Sequence, residues 1–276
     1  MRQNPAARAA VHAALIIYTL LAVSPIVLIL INSFKSRSAI FASPLSLPNG
    51  TTFSLIGYSS VLAKANFTAY FANSLIVTVG SLALVLLFGA MAAWALTEYR
   101  FRGNILVGLY LAIGIMVPIR LGSVSILKMM VAFNLVNTLT ALILVYTAMG
   151  LPLAIFILSE FIQQIPRELR DAARIDGASE YRIFWNVILP LIRPAVATVA
   201  VFTMVPIWND LWFPLILAPG HGTQTVTLGV QQFIGQYVTD WNAVLAALSL
   251  ALAPILVLYV IFSRSLVRGI TAGAVK

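Results

Sequence analysis

Cysteine is absent from all 276 residues. Disulfides, thiolate metal sites and cysteine nucleophiles are thereby excluded, while the compartment stays open. Histidine is nearly absent, and His12 and His221 stand too far apart in sequence to make a metal-ligand spacing. Charge is scarce: 9% of residues are charged, where a soluble domain carries about 25%. No Gly is followed by Lys, so the phosphate-cradling loop GxxxxGK[ST] is missing and no ATP site of that kind is present. Neither histidine stands near a plausible Ser–Asp pair, which argues against an integral membrane enzyme. Internal repeats, heptad runs and low-complexity segments are also lacking.

What is there is oil. Hydrophobic residues make up 61% of the chain. No soluble fold hides that much apolar surface, so lipid is the solvent. The net charge of +9, from 17 basic and 8 acidic residues, sits at the ends of apolar runs. That placement serves membrane topology and does not suit nucleic acid.

Six apolar runs read as membrane spans: residues 11–31, 72–96, 105–119, 139–158, 195–217 and 243–262. The first run exceeds the 7–15 apolar residues of a signal peptide, roughly, and reads as a retained span. Pro25 inside it is tolerated where neighbours satisfy the freed carbonyl. Residues 32–70, rich in Ser, Thr, Pro44, Pro48 and Asn49-Gly50, are expected to form a small cap outside the membrane. Asn134 and Asn137 read as turn residues, and residues 218–242 as a second polar loop. An even number of crossings puts both termini on one side. With the termini inside, that side holds twelve basic residues, Arg2, Arg8, Arg100, Arg102, Arg167, Arg170, Arg174, Arg182, Arg193, Arg264, Arg268 and Lys276. The outer side holds five, Lys35, Arg37, Lys64, Arg120 and Lys128. The asymmetry obeys the positive-inside rule and places residues 160–190 in the cytoplasm. The expected fold is an all-α integral membrane protein, residues 1–276 as one domain. It has six transmembrane helices and a cytoplasmic coupling helix between spans four and five.

Residues 160–190 form the longest stretch of mixed charge. Pro166 suits the first position of a helix, and Glu168 follows in the first turn, where negative charge favours the dipole. Arg167, Arg170 and Arg174 recur at i, i+3 and i+7 and line one face. Ala172-Ala173 leaves the adjoining face flat. Asp176-Gly177 stops the helix, with Gly177 able to take the left-handed conformation. Ser179 can cap a second helix over residues 180–189, which Pro190 ends. A helix of about ten residues is marginal in water without packing, and its small Ala face has little to bury in lipid. An ordinary solvated loop is the competing reading of the charge pattern.

Asp171-Ala172-Ala173, three residues, Gly177, nine residues, Val187, one residue and Leu189-Pro190 resemble the EAA loop of ABC-importer permeases. That motif has Glu where Asp171 stands and Ile where Val187 stands, and both changes keep the chemistry. The wider phrase from Ile165 to Val196 resembles the carbohydrate-importer, maltose-permease-like branch, as do Trp208-Asn209-Asp210 and the tail 269–276. The likeness covers the inner and C-terminal parts well, and the outer loops only in size and placement. The resemblance implies a permease subunit of the bacterial inner membrane with no cofactor of its own. ATP and Mg would sit on two partner ATPase subunits. The other partners would be a second, homologous permease subunit in a heterodimer and an extracytoplasmic solute-binding protein that delivers a sugar. It implies that Arg167, Glu168, Arg170, Asp171, Ala172, Ala173, Asp176, Gly177, Ala178, Leu189 and Pro190 form the ATPase-coupling region. There Asp171 would make an ionic contact, the two alanines would allow close approach, and Gly177 would make the turn.

The spans are almost free of ionisable groups, with Asp210 the one carboxylate in them. A charge at mid-bilayer is costly and is kept mainly for function. That scarcity argues against proton or sodium coupling, although a self-sufficient channel or carrier for a small polar solute remains the alternative function. Trp208, Asn209, Asp210 and Trp212 make an aromatic and polar group that suits sugar rings, or else an interfacial aromatic belt. Arg120 and Lys128 either snorkel to the interface or face a cavity, where they would suit an anionic or sulfonated sugar. Gly80, Gly89, Ala92, Ala93 and Gly108 let helices approach closely.

Overall fold

The computed structural model describes residues 5–64, 66–234 and 239–274. Arg2 and Lys276 lie outside the described residues, as do the side chains of Lys64, Arg264, Arg268 and the tail 269–276. The described chain is helical, with two isolated bridges, Lys35 to Phe53 and Ile234 to Thr239, as its extended pairings.

In chain order the helices are α1 (Pro5–Ser33), α2 (Arg37–Ala42), α3 (Ile56–Lys64), α4 (Phe67–Glu98), α5 (Asn104–Met116) and α6 (Ser123–Ala132). After them come α7 (Leu139–Gln163), α8 (Arg167–Ile175), α9 (Glu180–Leu191), α10 (Arg193–Asn209), α11 (Trp212–Leu217), α12 (Val226–Val230) and α13 (Trp241–Ala274). The stretches Arg8–Ser33, Phe67–Glu98 and Leu139–Gln163 are long and apolar enough to cross a membrane. At about 1.5 Å per residue, the 25 residues of α7 already exceed the hydrocarbon core of about 30 Å.

The third expected run ends within three residues of its expected end, and the fifth is interrupted. α5 stops at Met116, and the chain turns by 90° through a 3₁₀ turn, Ile119–Gly122, into α6. The cause is local. Val117 precedes a proline and is held extended at φ −77°, ψ 122°, because the Pro118 ring crowds the helical conformation before it. The helix pair Glu180–Leu191 and Arg193–Asn209 bends by 75° ahead of the fifth run, and that run is itself interrupted at Asp210, which is extended at φ −72°, ψ 132°. Among the described residues, three helices are thus long and apolar enough to cross a membrane, or up to five if each bent pair is one span. The sixth expected run falls within α13, which is helical over 34 residues.

Backbone packing divides the chain into two compact units. One comprises Met1–Thr68 and Gly229–Pro254. In it, α1 is exposed from residue 8 to residue 25, with Tyr18, Leu20 and Leu21 bare, so its surroundings there must be apolar. The expected cap is a short antiparallel clasp, in which Ser36 N donates to Thr52 O at 2.8 Å and Ser54 N to Phe34 O at 2.9 Å. Lys35 is fully buried there. Its Nζ donates to the Ser43 carbonyl at 2.8 Å and to Asn32 Oδ1 at 3.1 Å. Burial holds its pKa below the usual lysine value.

The other unit comprises Ala69–Leu228 and Ile255–Lys276. One apolar cluster joins α4, α7, α9 and α10 through Val85, Ala93, Leu158, Ile183, Ile188 and Val199. A second joins α4, α6, α7 and α11 through Val77, Met130, Leu142, Tyr146, Phe213 and Leu217. Small residues set the spacing. A Cβ at Gly89 would lie 2.9 Å from Ala154 Cβ, and one at Gly150 would lie 2.7 Å from Val85 Cγ2. Gly80 faces Ile143 at 3.2 Å, whereas a Cβ at Gly108 would meet nothing within 4 Å. Asn134 and Asn137 turn the chain between α6 and α7 at φ 55° and 61°.

Gly89→Leu should force α4 away from α7 and destabilise the protein by about 1–3 kcal/mol, read as a lower melting temperature in detergent. Gly108→Ala, inside α5 with nothing within 4 Å of the new Cβ, should instead stabilise it by about 0.5–1 kcal/mol.

Candidate functional site

The charged segment is a helix, a sharp turn and a second helix. α8 begins at Arg167, one residue later than expected, because Pro166 has an extended ψ of 134° and forms the boundary. Its end is a Schellman motif. Ala178 N donates to Ala173 O at 3.0 Å, and Gly177 N to Arg174 O at 3.0 Å. Gly177 makes this possible at φ +77°, a conformation costly for any residue with a Cβ. Ser179 Oγ then accepts from Arg182 N at 3.4 Å and caps α9.

α9 does not end at Pro190 as expected. It widens into a π turn over Phe184–Ile188 and runs on to Leu191. Proline has no N–H to donate to the preceding turn, and a local π register absorbs such a defect without breaking the helix. Leu189 and Pro190 are half-buried.

The three arginines do not share one environment. Arg167 is exposed with Glu168, whereas Arg170 turns inward and is 5% exposed. Arg170 Nη1 donates to Glu98 Oε2, its Nη2 donates to Ile165 O at 3.3 Å, and its guanidinium lies 5.8 Å from the Trp94 ring centroid. Arg174 Nη2 donates to Glu98 Oε1, its Nε to Glu180 Oε1 at 2.9 Å, and its Nη1 to Asp171 Oδ1 at 3.2 Å. These bonds raise the pKa of Arg174 further. Tyr99 Oη donates to Glu180 Oε2 at 3.0 Å. Burial, with the bond to Glu180, pushes the Tyr99 phenol above its usual value. The alanines also differ: Ala172 is exposed, while Ala173 and Ala178 pack against the apolar cluster. The outward side carries Leu169, Asp171, Ala172, Ile175, Asp176, Gly177 and Tyr181, with Ile175 86% and Tyr181 75% exposed.

A second constellation surrounds Asp210. The break between α10 and α11 frees this carboxylate to cap α11, accepting from Phe213 N at 3.0 Å and Trp212 N at 3.3 Å. Tyr146 Oη donates to Asp210 Oδ2 at 2.8 Å, and Thr227 Oγ1 to the Asp210 carbonyl at 2.7 Å. Arg120 Nη2 lies 4.0 Å from Asp210 Oδ1, and its guanidinium 5.9 Å from the Trp212 ring. Trp212 Nε1 donates to Ser123 Oγ at 2.8 Å. Arg120, Tyr146, Thr203, Asn209 and Asp210 form the polar part of a cavity of about 440 Å³, with Met149, Phe202 and Phe213 among its apolar lining.

Of the residues expected in the pathway, Arg120, Asn209 and Asp210 line this cavity, and Trp212 stands beside Arg120 without lining it. Trp208 does not line it; it is buried, edge-on to Phe71 at 5.6 Å. Lys128 is exposed on α6 and is not among the residues lining the cavity. Sequence reasoning missed Tyr146 and Glu98. Tyr146 carried a signal, since a phenol within a long apolar run must find a partner. Glu98 carried none beyond closing a helix, because its partners come from a segment more than 70 residues away.

Long apolar helices, a partly polar cavity and a charged helix–turn–helix are the features of a membrane transport subunit. The chain belongs to the family of binding-protein-dependent transport system inner membrane components, which it matches over residues 85–272. It is 34% identical over 267 residues to the diacetylchitobiose uptake system permease protein NgcG of Streptomyces coelicolor, covering 96% of this chain and 88% of that one. It is 34% identical over 261 residues to the probable starch degradation products transport system permease protein AmyC of Thermoanaerobacterium thermosulfurigenes, covering 95% and 94%. Its fold matches a crystal structure of a bacterial ABC transporter involved in the import of the acidic polysaccharide alginate. That match has a TM-score of 0.81 at 21% identity, over 96% of this chain and 98% of that one. The chain is therefore a permease subunit of a binding-protein-dependent importer and not an enzyme.

Tyr146→Phe should leave the Asp210 carboxylate short of one donor and cost about 1.5–3 kcal/mol, read as a lower melting temperature. Gly177→Ala, where the new Cβ meets nothing within 4 Å, should cost about 1–2 kcal/mol through backbone strain alone.

Proposed function

We propose that the chain is half of the translocation pathway of an ATP-driven sugar importer. It crosses the membrane six times with both termini in the cytoplasm, as one permease domain over residues 1–276. α8, its turn and α9 form a lever that docks on a separate ATPase subunit. Two such ATPases hold ATP and Mg, a second homologous permease chain completes the pathway, and an extracytoplasmic binding protein delivers the sugar. The names of the relatives NgcG and AmyC support a carbohydrate cargo.

The observation that carries the docking role is the division of faces on the lever. Arg170 and Arg174 are spent on the chain's own Glu98, Glu180 and Asp171. The opposite face leaves Ile175, Tyr181, Leu169 and Trp185 substantially exposed. Apolar and aromatic side chains clustered on a wet element mark a protein interface. Asp171 and Ala172 stand on that same exposed face, Asp171 to make an ionic contact and Ala172 to admit close approach.

The cavity around Arg120, Asn209 and Asp210 is the segment of the pathway that reads the sugar. Aromatic faces at Phe202 and Phe213 suit sugar rings, and the polar groups suit hydroxyls. Asp210 at 4.0 Å offsets the charge of Arg120. That balance favours an uncharged sugar over the anionic one an isolated arginine would select.

Asp171→Lys and Gly177→Trp should leave membrane insertion normal and abolish substrate-stimulated ATP hydrolysis in the assembled complex. Normal hydrolysis in both would overturn the docking role. The chain reconstituted alone should give no solute flux, and flux without an ATPase would make it a self-sufficient channel or carrier.

A further inference from the structure

α4 runs unbroken over 32 residues, Phe67–Glu98, with no proline inside it. Both of its ends hold something. At one end Glu98 accepts from Arg170 and Arg174 of α8. At the other, Asn73 Nδ2 donates to the carbonyls of Gly222 and Gln224, each at 3.0 Å. Ser74 Oγ accepts from Val226 N at 2.8 Å. The loop so gripped leads in the next residue to Thr227, whose hydroxyl donates to the Asp210 carbonyl at 2.7 Å. Asp210 lines the cavity.

We propose that α4 is a rigid transmission rod. Glu98 takes up the movement of the lever, and Asn73 with Ser74 delivers it to the loop 222–227 and so to Asp210 at the cavity. The inference rests on the lever role proposed above and adds a route that chain connectivity does not supply. Covalently the lever feeds α9 and α10, and that route bends by 75° at Ile192 and passes a π turn. α4 has neither defect. Asn73 and Glu98 lie about 37 Å apart along its axis, at 1.5 Å per residue.

The two grips suit the task chemically. Arg170 and Glu98 are 6% and 13% exposed at the side chain, so water screens their attraction little. Asn73 is 8% exposed and Ser74 3%. Their bonds go to backbone groups, so they fix the path of the loop and do not depend on one side chain of it. Buried, directional bonds at both ends of a stiff helix give a connected element that two sites can bias together. Glu98 and Asn73 are positioning residues, since neither touches cargo or nucleotide.

The test follows amide hydrogen exchange in the complex purified with its ATPase subunits, with and without ATP, Mg and vanadate. In the wild type, nucleotide should change exchange in both the lever, 167–190, and the loop, 222–228. In Glu98→Gln and in Asn73→Leu the change at the lever should persist, while that at the loop falls roughly threefold to thirtyfold. The double variant should be no worse than either single one. A loop response that survives in both variants overturns the rod. Loss of both responses in Glu98→Gln also overturns it, because Glu98 would then only hold the lever in shape. A wild-type lever that does not respond to nucleotide sinks the docking role itself, which separates the two failures.

Discussion

Two guanidinium groups converge on the carboxylate of Glu98, one from each of two successive turns of α8. The rest of the inner end is arranged around that meeting. Removing one member of a buried pair costs about 3–5 kcal/mol, because the charge left behind has no water to turn to. Arg170 is held further by the Ile165 carbonyl and the Trp94 ring, and Arg174 by Asp171 and Glu180. The lever is thus fixed to its own protein by charge, and its exposed face sets Leu169, Ile175 and Tyr181 beside Asp171 and Asp176. A docking element needs that combination: it must keep its shape when alone and still offer surface worth burying.

The Asp210 site follows a similar logic with a different partner set. A carboxylate in a membrane protein is costly unless its charge is answered. Here a helix break brings two backbone N–H groups to it, a phenol adds a third donor, and Arg120 stands 4.0 Å away. The break is therefore what lets this carboxylate sit beside the cavity.

Proline shapes the chain in three distinct ways. Pro118 holds its predecessor extended and ends α5. Pro166 forms the boundary before α8. Pro190 is absorbed in a helix by a π turn. One residue type gave three outcomes because the surrounding packing differs, and periodicity alone could not separate them. For that reason the expected ends at Pro118 and Pro166 were nearly right, while the expected end at Pro190 and the continuous run 195–217 were not.

Much of the function was legible in order along the chain. Sparse charge, long apolar runs and the spacing Asp171-Ala172-Ala173 to Gly177 to Leu189-Pro190 depend on local periodicity, and local chemistry fixes them. The left-handed turn at Gly177 is of the same kind. Which arginine faces inward is not. Arg167, Arg170 and Arg174 share a face by spacing, yet only the fold brings Glu98, 72 residues before Arg170, to meet two of them. Likewise Tyr146 and Asp210 lie 64 residues apart and meet only once α7 and α10 are packed. Linear pattern determined the elements and their polarity. Tertiary packing decided the partners, because burial is what makes a distant charge or hydroxyl indispensable.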